Sequence, residues 1–94
     1  GYLPRDRQER KKAIQKLENL SYKNQQSQIF IETPFRNNHM IEDLSRTCSG
    51  DTEIVVATNL TMENESIVRM KAKEWIKNKI DFHKKPSVFI IHKY

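Results

Sequence analysis

The sequence predicts an α/β fold in which a mixed sheet of about four strands carries helices packed on its faces. Short runs rich in β-branched residues, at 29–31, 54–57 and 87–91, are continuously apolar, as in strands that are covered on both faces. Segments with apolar residues at helical spacing lie between these runs. The 94 residues suffice for one domain with one modest core. We therefore expect a largely parallel or mixed sheet with helices on its faces.

The first helix begins after Asp6, because Asp6 followed by Glu9 has the spacing of a capping box. Apolar residues then recur on one face and predict the buried side of this helix: Ala13, Ile14, Leu17 and Leu20. The polar segment 22–27 is predicted to be a loop.

The next elements are a strand at 29–31 and a helix that begins at Pro34. Thr33 is a good N-cap residue, and proline is favoured at the first helical position. The predicted buried side of this helix comprises Phe35, Met40, Ile41 and Leu44. The helix is expected to end before Ser49 and Gly50.

The second half of the chain adds two further strands, a helix and the closing strand. In order, we predict a strand at 54–57, an irregular segment at 58–64, a strand near 66–70, a helix near 72–79, a turn at 83–86 and a strand at 87–91. Ala72, Trp75, Ile76 and Ile80 recur at helical spacing, and Trp75 is predicted to lie in the core.

Composition excludes several kinds of site. The chain has two glycines and one cysteine, so it contains no glycine-rich phosphate loop, internal disulfide or paired-cysteine redox site. The three histidines are not at metal-ligand spacing, and no metal site is predicted. Cys48 lacks an activating neighbour in the sequence and is predicted to be a core residue at a helix end. No apolar segment approaches the roughly 20 residues of a membrane span, and a cytoplasmic location is expected.

The chain is basic, with 17 Lys and Arg against 12 Asp and Glu and a formal net charge of +5. The cations of residues 5–16 are compatible with contact to a phosphate backbone. They are equally compatible with the solvated face of an amphipathic helix. Charge alone therefore leaves both interpretations open.

Strand ends indicate one candidate binding edge. In open α/β sheets, ligands bind at the carboxyl ends of strands. Glu32 and Thr33 follow one strand, and residues 58–61 follow another. The helix that begins at Pro34 would direct its free N–H groups toward the same edge.

Four segments, in order, resemble one known family. Gly1 to Arg5, followed by Glu9-Arg10, is similar to a G-[FY]-L-P…E-R segment, and Ile29 to Arg36 is similar to I-F-[YI]-E-[ST]-P-x-R. Ala57 to Thr61 is similar to A-R-E-L-T, and Pro86 to Ile91 resembles a closing strand. The four patterns are those of the ribosomal small-subunit RNA 2′-O-methyltransferase I family, within the tetrapyrrole methylase superfamily. This chain therefore resembles that family.

The resemblance implies a bacterial, cytoplasmic and dimeric enzyme that uses S-adenosyl-L-methionine (SAM). The family has two α/β domains with SAM held between them, and residues 1–94 resemble the carboxy-terminal one. The amino-terminal domain with its glycine-rich loop is absent from this chain, which is not expected to be active alone. The resemblance places SAM contacts at Glu32, Thr33, Asn59, Leu60, Pro86 and Ser87. It implies an RNA acceptor, for which Arg5 and Arg36 are the candidate anion-binding residues, and no catalytic base is assigned.

This sequence departs from the family pattern near the expected cleft. Thr58-Asn59 replaces the usual Arg-Glu, Met62 replaces a frequent Lys, and Phe35 replaces a common His. Two alternatives to RNA methylation are therefore kept. One is half of a corrin or porphyrin methyltransferase, and the other is a non-enzymatic basic module that binds RNA.

Overall fold

Three helices and four strands make up the part of the chain that the structure describes. The structure is a computed structural model that describes residues 4–31, 36–82 and 84–94. The elements are α1 (Arg7–Asn24), β1 (Gln28–Ile31), α2 (Asn37–Thr47), β2 (Glu53–Thr58), β3 (Ser66–Lys71), α3 (Ala72–Lys77) and β4 (Ser87–His92). The strands form one sheet in the order β1-β4-β2-β3. The predicted α/β class and number of strands are confirmed.

The strand directions differ from the expected parallel or mixed arrangement. All three pairings, β1 with β4, β4 with β2 and β2 with β3, are antiparallel. Strands β1 and β2 run in the same direction, but β4 lies between them and runs the opposite way. In the sequence, β1, a helix and β2 follow one another, which is the pattern of two neighbouring parallel strands. In the sheet, however, β4 lies between β1 and β2, and the local pattern does not reveal this insertion.

Only one face of the sheet is packed against helices in the described part of the chain. Phe30, Val56 and Phe89 lie side by side on this inner face and join the helices in a single core. On the outer face, Ile29 is 62% exposed, and Val55 and Ile90 are half-buried. The outer face is therefore more exposed than the continuous apolar runs of the sequence suggested. A run of β-branched residues suits any pleated surface, so it did not reveal which face is open.

Helix α1 begins as predicted, and the predicted Ala13, Ile14 and Leu17 lie in the core or pack against it. The Asp6 carboxylate accepts a hydrogen bond from the Glu9 N–H at 3.0 Å, which caps the helix. Ile14 is fully buried, whereas Leu20, expected to be buried, is 37% exposed. The other buried residues of the helix are polar, namely Arg10, Glu18 and Ser21.

Each of these buried polar side chains has a hydrogen-bond partner, which makes its burial tolerable. Glu18 accepts hydrogen bonds from the Ser49 N–H and the Thr52 hydroxyl, and the Ser21 hydroxyl accepts one from the Lys93 N–H. Helix α1 also continues to Asn24, three residues into the predicted loop, and ends where Gln25 adopts a left-handed conformation.

Helix α2 is described from Asn37 onward. The predicted N-cap and first residues, Thr33, Pro34 and Phe35, lie outside the described residues, as does Glu32. The expected burial of Met40, Ile41 and Leu44 is confirmed, and the helix ends at Thr47, before Ser49 as predicted.

Trp75 anchors the short helix α3, and its predicted place in the core is confirmed. It is 2% exposed, and its ring centroid lies 5.9 Å from that of Phe82. Its indole N–H donates a hydrogen bond to the Ile54 carbonyl at 2.8 Å, which ties α3 to β2.

No helix in the described ranges is long and apolar enough to cross a membrane. Within the same ranges, His, Cys, Asp and Glu side chains form no group of three that could hold a metal ion.

Candidate functional site

One edge of the sheet brings together segments that are distant in sequence. The carboxyl ends of β1 and β2 and the amino end of β4 all lie at this edge. The register pairs Ile31 with Val88 and Thr58 with Ser87. Residues that follow β2 therefore lie beside the residues that enter β4.

This edge contains a cavity of about 330 Å³, which we call the strand-end cavity. Its lining residues are Ile31, Ala57, Asn59, Leu60, Met62, Pro86, Ser87 and Val88. Four of the six predicted cofactor-binding residues, Asn59, Leu60, Pro86 and Ser87, are thus brought together. The other two, Glu32 and Thr33, lie outside the described residues.

Asn59, the residue directly after β2, has an uncommon backbone conformation. Its φ angle of 52° lies in the left-handed region, where asparagine is tolerated better than most residues. Its N–H donates to the Pro86 carbonyl at 2.9 Å, which joins the two segments of the cavity wall. Within the described ranges, the Asn59 side chain makes no hydrogen bond. Asn59 is 6% exposed and lines the cavity, so its amide is a candidate ligand contact there.

Hydrogen bonds from the buried Asn37 side chain fix the Pro86–Ser87 segment. The sequence did not indicate this role of Asn37. The Asn37 amide N–H group donates to the Phe82 carbonyl at 2.9 Å, to the Ser87 hydroxyl at 3.0 Å and to the Lys85 carbonyl. The Ser87 hydroxyl in turn donates to the Lys85 carbonyl at 2.9 Å. Because the Ser87 hydroxyl is already hydrogen-bonded within the protein, its role is to fix the shape of the cavity wall.

The floor of the strand-end cavity is apolar and was also missed. Ile31, Ala57 and Val88 lie side by side on the outer face of three neighbouring strands. Leu60 and Met62, 42% and 54% exposed, add apolar surface at the rim. The alternation along each strand could identify these residues only once the register was known.

Arg5 and Arg36, the two predicted anion-binding residues, are also brought together. They line a second cavity of about 450 Å³, which we call the arginine cavity. Its remaining lining residues are Arg7, Arg10, His39 and Asp43. Asn37, at the start of α2, bonds to Ser87, so the arginine cavity and the strand-end cavity lie at the same end of the sheet.

Cys48 is a core residue at the end of α2, as predicted. It is 7% exposed and occupies the C-cap position. Burial, together with repulsion of the thiolate by the neighbouring Glu18 carboxylate and a hydrogen bond to it, raises the pKa of the Cys48 thiol to about 12. The thiol is therefore protonated at neutral pH and is a poor nucleophile.

We expect Cys48 to resist dithionitrobenzoate at pH 8 in the folded protein and to react at once in urea. Because the folded pKa lies above the ordinary value near 9, the thiol's contribution to stability is complete below pH 9. That contribution is lost as the pH rises toward 12. The measurement is thiolate release at 412 nm, which is the wavelength of the thionitrobenzoate product, with the unfolded chain as the control. Rapid labelling without denaturant would contradict the buried position.

Comparison with known proteins relates this geometry to one fold. No protein-family model matches the chain, and no curated protein matches it. Among solved structures, the crystal structure of the methyltransferase CobJ is similar, with a TM-score of 0.52 and 12% sequence identity. The similarity covers 86% of this chain and 34% of the CobJ chain. The chain shares its fold with part of CobJ, which has a tetrapyrrole methylase fold.

A tetrapyrrole methylase fold is what the sequence resemblance implied. The chain spans about a third of the length of CobJ, 34%, so the likeness concerns one part of that architecture. At this level of identity it describes the fold of the chain. The narrower resemblance to the ribosomal RNA 2′-O-methyltransferase I family stays a prediction.

Proposed function

We propose that this chain is the carboxy-terminal domain of a two-domain, SAM-dependent methyltransferase of the tetrapyrrole methylase superfamily. The observation that carries the proposal is the gathering of Asn59, Leu60, Pro86 and Ser87 around one cavity. The sequence resemblance assigns SAM contacts to these residues from local motifs alone. The fold shared with a methyltransferase supports the same proposal.

The strand-end cavity has the chemistry that an adenosine group requires. Its floor of Ile31, Ala57 and Val88 offers an apolar surface for a flat ring, and the Asn59 amide offers one donor and one acceptor. SAM supplies a methyl group that its sulfonium already activates. The contribution of the protein is to hold the donor and the acceptor in line, so the proposal assigns no catalytic base to this chain.

For the methyl acceptor we propose RNA, at a ribose 2′-hydroxyl, with Arg5 and Arg36 contacting the anionic substrate. The net charge of +5 and the arginine cavity support an anionic acceptor. A corrin or porphyrin is the second candidate, because the fold is that of a tetrapyrrole methylase and these acceptors also carry acidic groups. The full-length enzyme is proposed to be a cytoplasmic homodimer.

Calorimetric titration of SAM, and of its demethylated product, into the full-length protein tests the proposed function. We expect saturable binding, and no binding at millimolar ligand would refute the proposal. The isolated chain is expected to bind weakly or not at all, because the proposal assigns half of the site to another domain. Transfer of labelled methyl groups to ribosomal RNA or to a porphyrin then distinguishes the two acceptors.

Replacing Leu60 by Asp is expected to weaken SAM binding about tenfold, because a carboxylate would be desolvated against the apolar ring. Leu60 is 42% exposed, so the variant should fold. Leu20→Asp is the matched control, since Leu20 is 37% exposed on α1, outside the strand-end cavity. Equal affinities for the two variants would show that the strand-end cavity does not hold SAM.

A further inference from the structure

The arginine cavity concentrates positive charge between two helices. Its walls are the first turn of α1, with the residues just before it, and the start of α2. Four guanidinium groups and the exposed His39 side chain line it, with Asp43 as the only carboxylate among its described lining residues. Like charges gathered this closely repel one another unless an anion lies between them.

The carboxylate of Asp43 is already engaged by two of these arginines. Arg10, which is 4% exposed, donates from Nη1 to Asp43 Oδ2 at 2.9 Å and from Nε to the Pro4 carbonyl at 3.0 Å. Arg7 Nε lies 3.9 Å from Asp43 Oδ1. Asp43 therefore joins α2 to α1 and fixes the buried wall of the cavity.

Arg5 and Arg36 differ from the buried wall in the partners that the described part of the chain provides. Within the described ranges, neither guanidinium forms an ion pair with a carboxylate. Arg36 is the N-cap residue of α2, and its side chain does not cap the helix.

We propose that the arginine cavity is a binding site for a phosphate group. A phosphate presents oxygens in several directions and can accept planar forks from more than one guanidinium, whereas a carboxylate presents two oxygens in one plane. The rigid Arg10–Asp43 pair supports the wall, and Arg5 and Arg36 bind the ligand. This inference deepens the proposed function and rests on it for the role of Arg5 and Arg36, because it names phosphate as the group of the anionic acceptor that these arginines bind.

The phosphate can come from a nucleic-acid backbone or from a phosphorylated small molecule, and titration distinguishes the two. Inorganic phosphate, ribose 5-phosphate and a short single-stranded RNA are added separately to the full-length protein at low ionic strength. RNA binding that weakens with salt and that phosphate displaces indicates a backbone phosphate. Ribose 5-phosphate binding without RNA binding indicates a small molecule. No binding of any of the three overturns the proposal.

Substitution locates the binding. Arg5→Ala with Arg36→Ala is expected to weaken binding about tenfold or more, since each removes a charge-assisted hydrogen bond. Arg36→Lys should bind phosphate more tightly than Arg36→Ala but less tightly than the unchanged protein. Lysine keeps the positive charge but cannot make the two parallel hydrogen bonds of a guanidinium. Lys11→Ala with Lys12→Ala is the control, since it removes two exposed charges of α1 that do not line the cavity.

Binding that depends on Lys11 and Lys12 and is unaffected at Arg5 and Arg36 would overturn the proposal and favour the non-enzymatic basic module. Circular dichroism of each variant verifies that it is folded. SAM titration of the same preparations reports on the proposed function separately. A protein that binds SAM but no phosphate refutes only this inference, and one that binds phosphate but no SAM refutes only the methyltransferase.

Discussion

Replacing Asn37 by Ala is expected to lower the free energy of unfolding by about 2 to 3 kcal/mol, because it removes hydrogen bonds to buried groups and leaves a small void. The Asn37 side chain is fully buried and donates to three groups between Phe82 and Ser87. The same change should weaken SAM binding in the full-length protein, since Pro86 then loses the support that aligns it with Asn59.

Urea denaturation measures the stability, and calorimetry measures the affinity under conditions in which the variant is folded. Asn37→Ser keeps one donor and should give intermediate values of both. Asn64→Ala, at an exposed asparagine in the loop after β2, is the matched control and should change neither. A variant that is destabilised but binds SAM with unchanged affinity would limit Asn37 to a structural role.

Replacing Trp75 by Ala is expected to cost about 4 kcal/mol, the usual range for a fully buried large aromatic residue. A domain of this size has a total stability of about 5 to 15 kcal/mol, so the variant should be largely unfolded in mild denaturant. The loss combines the packing against Phe82 with the indole hydrogen bond to the Ile54 carbonyl.

Trp75→Phe separates these two contributions, because it keeps an aromatic ring and removes only the N–H donor. Denaturation should be followed by far-ultraviolet circular dichroism, since Trp75 is the only tryptophan in the chain. Ile76→Ala is the control, because Ile76 is adjacent but 51% exposed. Similar losses for Trp75→Ala and Ile76→Ala would contradict the buried position of the indole.

Local signals in the sequence identified the elements well. The Asp6–Glu9 spacing located the start of α1, and the spacing of Met40, Ile41 and Leu44 identified the buried side of α2. These signals depend on contacts between residues three or four positions apart, which any chain segment carries within itself. The end of α1 was less predictable, because Gln25 ends it in a conformation that glycine usually adopts.

Features that depend on contacts between distant segments could not be predicted from the sequence. The burial of Glu18 depends on Ser49 and Thr52, and nothing near Glu18 in the sequence announces these partners. The strand directions depended likewise on where β4 is inserted. The sequence therefore did not reveal the buried polar residues of α1 or the exposed outer face of the sheet.

In the candidate site, too, residues marked by local motifs were predicted, and residues that depend on distant partners were not. The resemblance selected Asn59 and Pro86, which the structure joins by a hydrogen bond, although they lie far apart in the chain. Asn37 was missed because an asparagine near the start of a helix is an ordinary surface residue in most sequences. The Arg10–Asp43 pair was missed because neither partner shows by itself that the other is its neighbour.

The position of β4 between β1 and β2 also determines when the protein can fold during synthesis. The β2–β3 hairpin can form as soon as both strands have left the ribosome, since its pairing is local. Strand β1 has no strand partner in the described sheet until residues 87–92 emerge, because Gln28 pairs with Ile91 and Ile31 with Val88. Translation of the last strand is thus the event that completes both the sheet and the strand-end cavity, and a nascent chain that stalls before Ser87 exposes the apolar side of β1.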